Sequence, residues 1–251
     1  MITYEAVNCQ DIILSTEDEI YGDSMQGVYA DEIQKYIEEE MISLPSYVKL
    51  DEPIIEISVG GYFTIALTQS RKVYQWGIGR YDQKTPIQFP DNVTISHVIA
   101  GGNFYPASRA YKLDYHALAI TTDGQVFSWG RNNKLLGSVK LLGDDPYIPQ
   151  LISGSLRNKN IVSAGIGLDH ALFLTENGKV YTIGDGTKGQ TGLVHLFAGT
   201  AEEKTKYSPV LIKSSALDDL HITSVCCGSE HSLVLAGKFY IIMQLNLILY
   251  R

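Results

Sequence analysis

Apolar and polar positions along this chain follow a pattern that returns about every 50 to 60 residues. A lead segment rich in β-branched residues opens each copy, at 54–59, 95–100, 161–164 and 222–225. A glycine-containing turn follows, then a nearly continuous apolar run of about six residues, which predicts an inner strand covered on both faces. The chain then reverses through Thr122-Asp123-Gly124-Gln125 or Glu176-Asn177-Gly178-Lys179. Asp-Gly and Asn-Gly predict two-residue hairpin turns with positive φ at both central positions. A return strand closes each unit on Trp76-Gly77, Trp129-Gly130 or Ile183-Gly184. Aligning the copies puts Thr64, His116, His170 and His231 at equivalent positions.

One such unit is a small antiparallel sheet, and a small sheet buries both its faces only against copies of itself. The expected fold is therefore all-β: β-propeller blades of antiparallel strands in an incomplete ring of about four to five units, some partial. The units fall near 54–94, 95–158, 159–220 and 221–251. Residues 1–53 form a separate acidic segment, with a degenerate half-repeat at 13–22. Within it, Ile33, Tyr36, Ile37 and Met41 stand near helical spacing, and Asp31 with Gln34 suits a capping box, so a short helix is expected over 31–42.

The order of glycine pair, His-x-Leu-x-Leu-Thr, Asp-Gly-x-Val-Tyr and Trp-Gly resembles the repeat of the regulator of chromosome condensation family. The resemblance covers about residues 54–240 and is strongest around Trp76, Trp129 and Gly184. It implies a propeller, and a founding activity of nucleotide exchange on the small GTPase Ran. The family's full ring has seven blades, more than the units read here. The last unit also departs from the pattern, because Gly237-Lys238-Phe239-Tyr240 runs into Ile241-Ile242-Met243 without Trp-Gly. An open ring leaves strand edges that invite association with a partner or with itself.

Charge divides the chain unevenly. Residues 1–53 hold 13 acidic and 2 basic side chains, whereas the rest hold 15 and 18, within a net charge of -8. Neither part carries the dense basic stripe that phosphate neutralisation needs, so direct nucleic-acid binding is not expected. The three cysteines, Cys9, Cys226 and Cys227, do not make a disulfide framework, which favours an intracellular setting, cytoplasmic or nuclear. The apolar run from Phe239 to Tyr250 is too short to span a bilayer, so no membrane insertion is expected.

Candidate chemistry is sparse. Cys226-Cys227 with His221 and His231 lacks a zinc-ligand spacing, and Gly184 to Gln190 lacks the spacing of a phosphate loop and reads as a structural turn. No nucleophile elbow or paired carboxylates stand out, so neither metal nor cofactor nor covalent catalysis is expected. The histidines recur at one place in a repeat, which suits structural hydrogen bonding. The resemblance adds that this position lies towards the GTPase in the exchange-factor member, which makes His116, His170 and His231 binding candidates as well. The clearest insertion separates Gly102 from His116 by fourteen positions where other units have three. It carries Phe104, Tyr105, Arg109, Tyr111 and Lys112, types suited to protein interfaces, and the plain alternative is a long loop folded over its own blade. The expected function is a non-catalytic scaffold that binds a protein partner through blade loops, the partner being a small GTPase or a larger assembly. The alternative is a guanine-nucleotide exchange factor, against which no wedge-like hairpin is evident in the sequence.

Overall fold

The computed structural model describes residues 50–61, 63–77, 85–105, 112–130, 148–193, 205–215, 217, 219–237 and 239–243. The half-repeat and helix expected within 1–49 lie outside them. The fold described is that of the compact unit Glu52–Arg251.

Four antiparallel sheets follow one another along the chain. The first joins β1 (Ile54–Val59), β2 (Phe63–Thr68) and β3 (Val73–Gly77). The second joins β4 (Ile95–Tyr105), β5 (Lys112–Thr121), β6 (Val126–Gly130) and β7 (Gln150–Leu151). The third holds β8 (Ile161–Ile166), β9 (His170–Thr175), β10 (Val180–Gly184) and β11 (Lys206–Leu211), and the fourth holds β12 (Ser224–Cys227), β13 (Ser232–Ala236) and β14 (Phe239–Met243). Each sheet is built in chain order, as propeller blades are.

The apolar runs form the second strand of each blade because both of its faces are covered. Every residue of β2 and of β9 is buried. Alternate residues of a strand point to opposite faces. Ile65 and Leu67 accordingly pack with Ala117, Ala119 and Trp129 of the second blade. Leu118 and Ile120 pack with Ala171, Phe173 and Ile183 of the third, and Leu172 and Leu174 with Val225, Val234 and Ala236 of the fourth. The cores thus lie in the seams between blades. Each fully buried Leu or Ile there contributes about 1.5 to 3 kcal/mol.

Two sequence expectations are corrected by the register. Phe63, not Thr64, occupies the histidine position of the first blade: Phe63 pairs with Gly77 as His116 pairs with Gly130 and His170 with Gly184. The tight turn before it agrees, since the amides of Gly60, Gly167 and Gly228 donate to the carbonyls of Phe63, His170 and His231. The hairpin turns are also one residue longer than a two-residue turn. Thr121 N–H donates to Gln125 O and Gly124 N–H to Thr121 O, an arrangement that recurs at Thr175, Gly178 and Lys179. Only the glycine has positive φ, +77° at Gly124 and +75° at Gly178, which is a type I turn completed by a left-handed residue. In the first blade Arg71 fills that place at φ 68°. The threonine hydroxyls reinforce the turns by accepting from Lys72, Gln125 and Lys179 N–H.

Candidate interaction surface

Each seam carries its own polar contact. Between the first and second blades, Trp129 Nε1–H donates to Gln75 Oε1 at 2.7 Å. Between the second and third, His116 Nε2 lies 3.1 Å from the carbonyl of Gly167, which fixes Nε2 as the protonated nitrogen because a carbonyl only accepts. Between the third and fourth, His170 Nε2 lies 2.7 Å from Ser232 Oγ. Burial drives both imidazoles from the usual 6.5 down to about 4, against the opposing pull of Asp169 and of neighbouring carbonyls.

The contact between His170 and Ser232 is not an activated nucleophile. Both residues are 0% exposed, and His170 Nδ1 has no hydrogen-bond partner, so neither an orienting carboxylate nor substrate access is present. Cys226 and Cys227 are consecutive in β12 and so lie on opposite faces. Burial raises the Cys227 thiol to about 12, and its sulfur lies 3.5 Å from Ser232 Oγ, while Cys226 is exposed. In the turn after β10, Asp185 accepts from both N–H and Oγ of Thr187, and Gln190 Oε1 accepts from Lys188 N–H. Those polar groups hold the turn itself.

The described ends of the insertion in the second blade form a paired ribbon. β4 and β5 continue past the glycine turn through the pairs Gly102↔Tyr115, Asn103↔Asp114, Phe104↔Leu113 and Tyr105↔Lys112. From the pair His116↔Gly130, the last described for β6, these four pairs of β4 and β5 run on over about 13 Å at 3.3 Å per residue. The ribbon is tied at its root to the first blade, where Gly61 N–H donates to Gly102 O at 3.3 Å.

Of the predicted site, the register sets Tyr105 opposite Lys112 and Phe104 opposite Leu113. Arg109 and Tyr111 lie outside the described residues. His116 and His170, at 2% and 0% exposure, sit inside seams and offer no surface to a partner. His231 is half-buried on the last described blade. Sequence reasoning passed over the seam partners Gln75 and Ser232, whose signal is a polar residue within an otherwise apolar strand.

Comparison with known proteins agrees with this architecture. The family profile described as regulator of chromosome condensation (RCC1) repeat matches residues 177–235, and a second profile of the same description matches 114–134 and 161–190. The mouse protein described as probable E3 ubiquitin-protein ligase HERC4 is 30% identical over 197 residues, which is 77% of this chain and 18% of that protein. Among solved structures, human WBSCR16 aligns with a TM-score of 0.59 at 23% identity, covering 77% of this chain and 48% of that one. Prp20p of Saccharomyces cerevisiae aligns at 0.56 and 22%, covering 77% and 44%. The chain thus spans less than half the length of each of these three. Repeat profiles over 114–134 and 161–235, together with the blades described above, make it an RCC1-like propeller repeat protein.

Proposed function

We propose that the protein is a non-catalytic interaction scaffold that holds a partner protein at the glycine-turn end of its blades. The observation that supports this reading is the paired extension of β4 and β5 through Tyr105↔Lys112, whose root is bonded to the neighbouring blade. A rigid platform with one protruding element is the usual arrangement for recognition by loops. The cysteine usage favours an intracellular setting, cytoplasmic or nuclear. Among the described residues no helix is long and apolar enough to cross a membrane.

The test is a crosslinking pull-down from the source cell's extract with wild type and with Tyr105→Ala combined with Arg109→Ala. We expect the double variant to lose the wild-type partner band while its thermal melt stays unchanged. Retention of the band would remove the ribbon from the reading.

A second reading is nucleotide exchange on a small GTPase. It is favoured by the paired extension of β4 and β5 and by the described binding of Prp20p to Gsp1p, which belongs to that protein. Fluorescent GDP release from a Ran-type GTPase, unchanged by this protein, would dismiss it.

A further inference from the structure

The chain contains one Asn-Gly pair, Asn177-Gly178, and it lies in the hairpin turn between β9 and β10. Such a pair is the most prone to spontaneous deamidation, because glycine has no side chain to hinder its amide nitrogen from attacking the asparagine carboxamide. Every other asparagine here precedes a residue with a side chain. In the reaction Gly178 N bonds to Asn177 Cγ, the Cγ–Nδ2 bond breaks, and the Gly178 amide proton leaves with Nδ2 as ammonia. Water then opens the cyclic imide. Cleavage at Cγ gives aspartate, and cleavage at the main-chain carbonyl gives isoaspartate.

One residue holds both reacting groups. Thr175 O accepts from Gly178 N–H at 2.9 Å, which commits the nucleophile to the inside of the turn. Thr175 Oγ donates to Asn177 Oδ1 at 2.6 Å, which fixes the carboxamide. The same hydroxyl accepts from Lys179 N–H at 3.0 Å and lies 2.8 Å from Lys179 O. Thr175 is 3% exposed, whereas Asn177 is open to water. The two products differ in their fit. Aspartate already stands at this place in the second blade, where Asp123 Oδ1 accepts from Thr121 Oγ and Gly124 N–H donates to Thr121 O. Isoaspartate adds a main-chain atom, and Gly178 has no room to move: a Cβ there would lie 2.5 Å from Nδ1 of His221, which leads into the fourth blade.

We propose that Asn177 is a site of spontaneous deamidation latched by Thr175, so that the amide is consumed when the turn beside the fourth blade opens and is preserved while it stays closed. The proposal is independent of partner recognition by the second blade. Full-length wild type is incubated at mildly alkaline pH, native and in guanidinium chloride, and conversion at residue 177 is read by peptide mass mapping and by isoaspartate methyltransferase labelling. Denatured chain is expected to convert at least about ten-fold faster than native chain, since only opened turns react. Thr175→Val keeps the shape of the side chain and removes the latch. An opening that breaks one hydrogen bond fewer is populated about five-fold more, so this variant should convert at least about five-fold faster than wild type while still folded. Thr175→Ser keeps the hydroxyl and should stay within about two-fold of wild type. Native wild type converting as fast as denatured chain would overturn the proposal, and that comparison needs no variant to fold. So would a folded Thr175→Val that converts no faster than Thr175→Ser.

Discussion

Acidification from pH 7 to 4 protonates the seam histidines in the unfolded chain before it does so in the folded one. His116 and His170 have folded pKa values of about 4, lowered chiefly by burial, against 6.5 when exposed. Between those limits the unfolded state binds more protons, so stability falls as pH falls. The contribution is fully present above about 6.5, is lost progressively down to about 4, and changes no further below. A difference of about 2.5 units is on the order of 3 kcal/mol for each histidine, so the pair is comparable with the whole stability of a typical domain. The groups facing His116 are Asp169 and His170, and those facing His170 are Asp169, Asp185 and His231. Overall charge works in the opposite sense, because neutralising a net charge of -8 relieves self-repulsion. Urea unfolding can be followed by the fluorescence of Trp76 and Trp129, which are 3% and 1% exposed. We expect the wild-type unfolding free energy to fall between pH 6.5 and 4 with a slope of up to about 1.4 kcal/mol per pH unit for each histidine. His116→Gln and His170→Gln should each remove their share of that slope. Slopes equal to wild type in both variants, or a wild-type stability flat from about pH 7 to 4.5, would refute the reasoning.

Two further substitutions separate backbone conformation from space. Gly124→Ala should destabilise by about 2 to 4 kcal/mol, since a Cβ at φ +77° would also lie 2.6 Å from Asn160 Cα and 2.7 Å from Ile161 N, where Ile161 N–H now bonds Gly124 O. Gly237→Ala, at φ +59° with nothing within 4 Å, should cost only about 1 kcal/mol, and a melt series of the two decides whether steric crowding accounts for the difference. Arg71→Gly is expected to raise stability by up to about 1 kcal/mol, because it relieves a left-handed non-glycine residue at the small loss of a 3.5 Å contact from Arg71 Nη1 to Ile95 O. A lower melting temperature for this variant would show that the arginine contact outweighs the strain.

The architecture was legible because the rows His116-Ala117-Leu118-Ala119-Ile120 and His170-Ala171-Leu172-Phe173-Leu174 state the two-faced burial of β5 and β9 directly. Finer geometry was hidden where different residues serve one place. Phe63 stands where other blades have histidine, so a search for chemical likeness slid one residue to Thr64, while the bond from Gly60 to Phe63 shows the true register. Asp123 and Asn177 carry a two-residue turn signal, yet their threonine neighbours supply hydroxyl acceptors that settle a longer turn. The insertion was recognisable by its length. Its strand pairing, from Gly102↔Tyr115 to Tyr105↔Lys112, was not legible, because the segment lacks the apolar alternation of a half-buried strand. The repeating histidines were read as structural from their period alone, but their partners, a carbonyl at Gly167 and a hydroxyl at Ser232, come from the following blade and emerge only from contacts more than 50 residues apart.

The unlike polar contacts of the three seams bear on how the chain assembles. Modules of nearly the same shape risk docking in the wrong sequence, because hydrophobic packing alone scarcely distinguishes one neighbour from another. An indole reaching an amide, an imidazole reaching a carbonyl and an imidazole reaching a hydroxyl give each joint a different address. A mis-threaded arrangement would strand one of these groups without water or partner, and that penalty selects the native succession of modules.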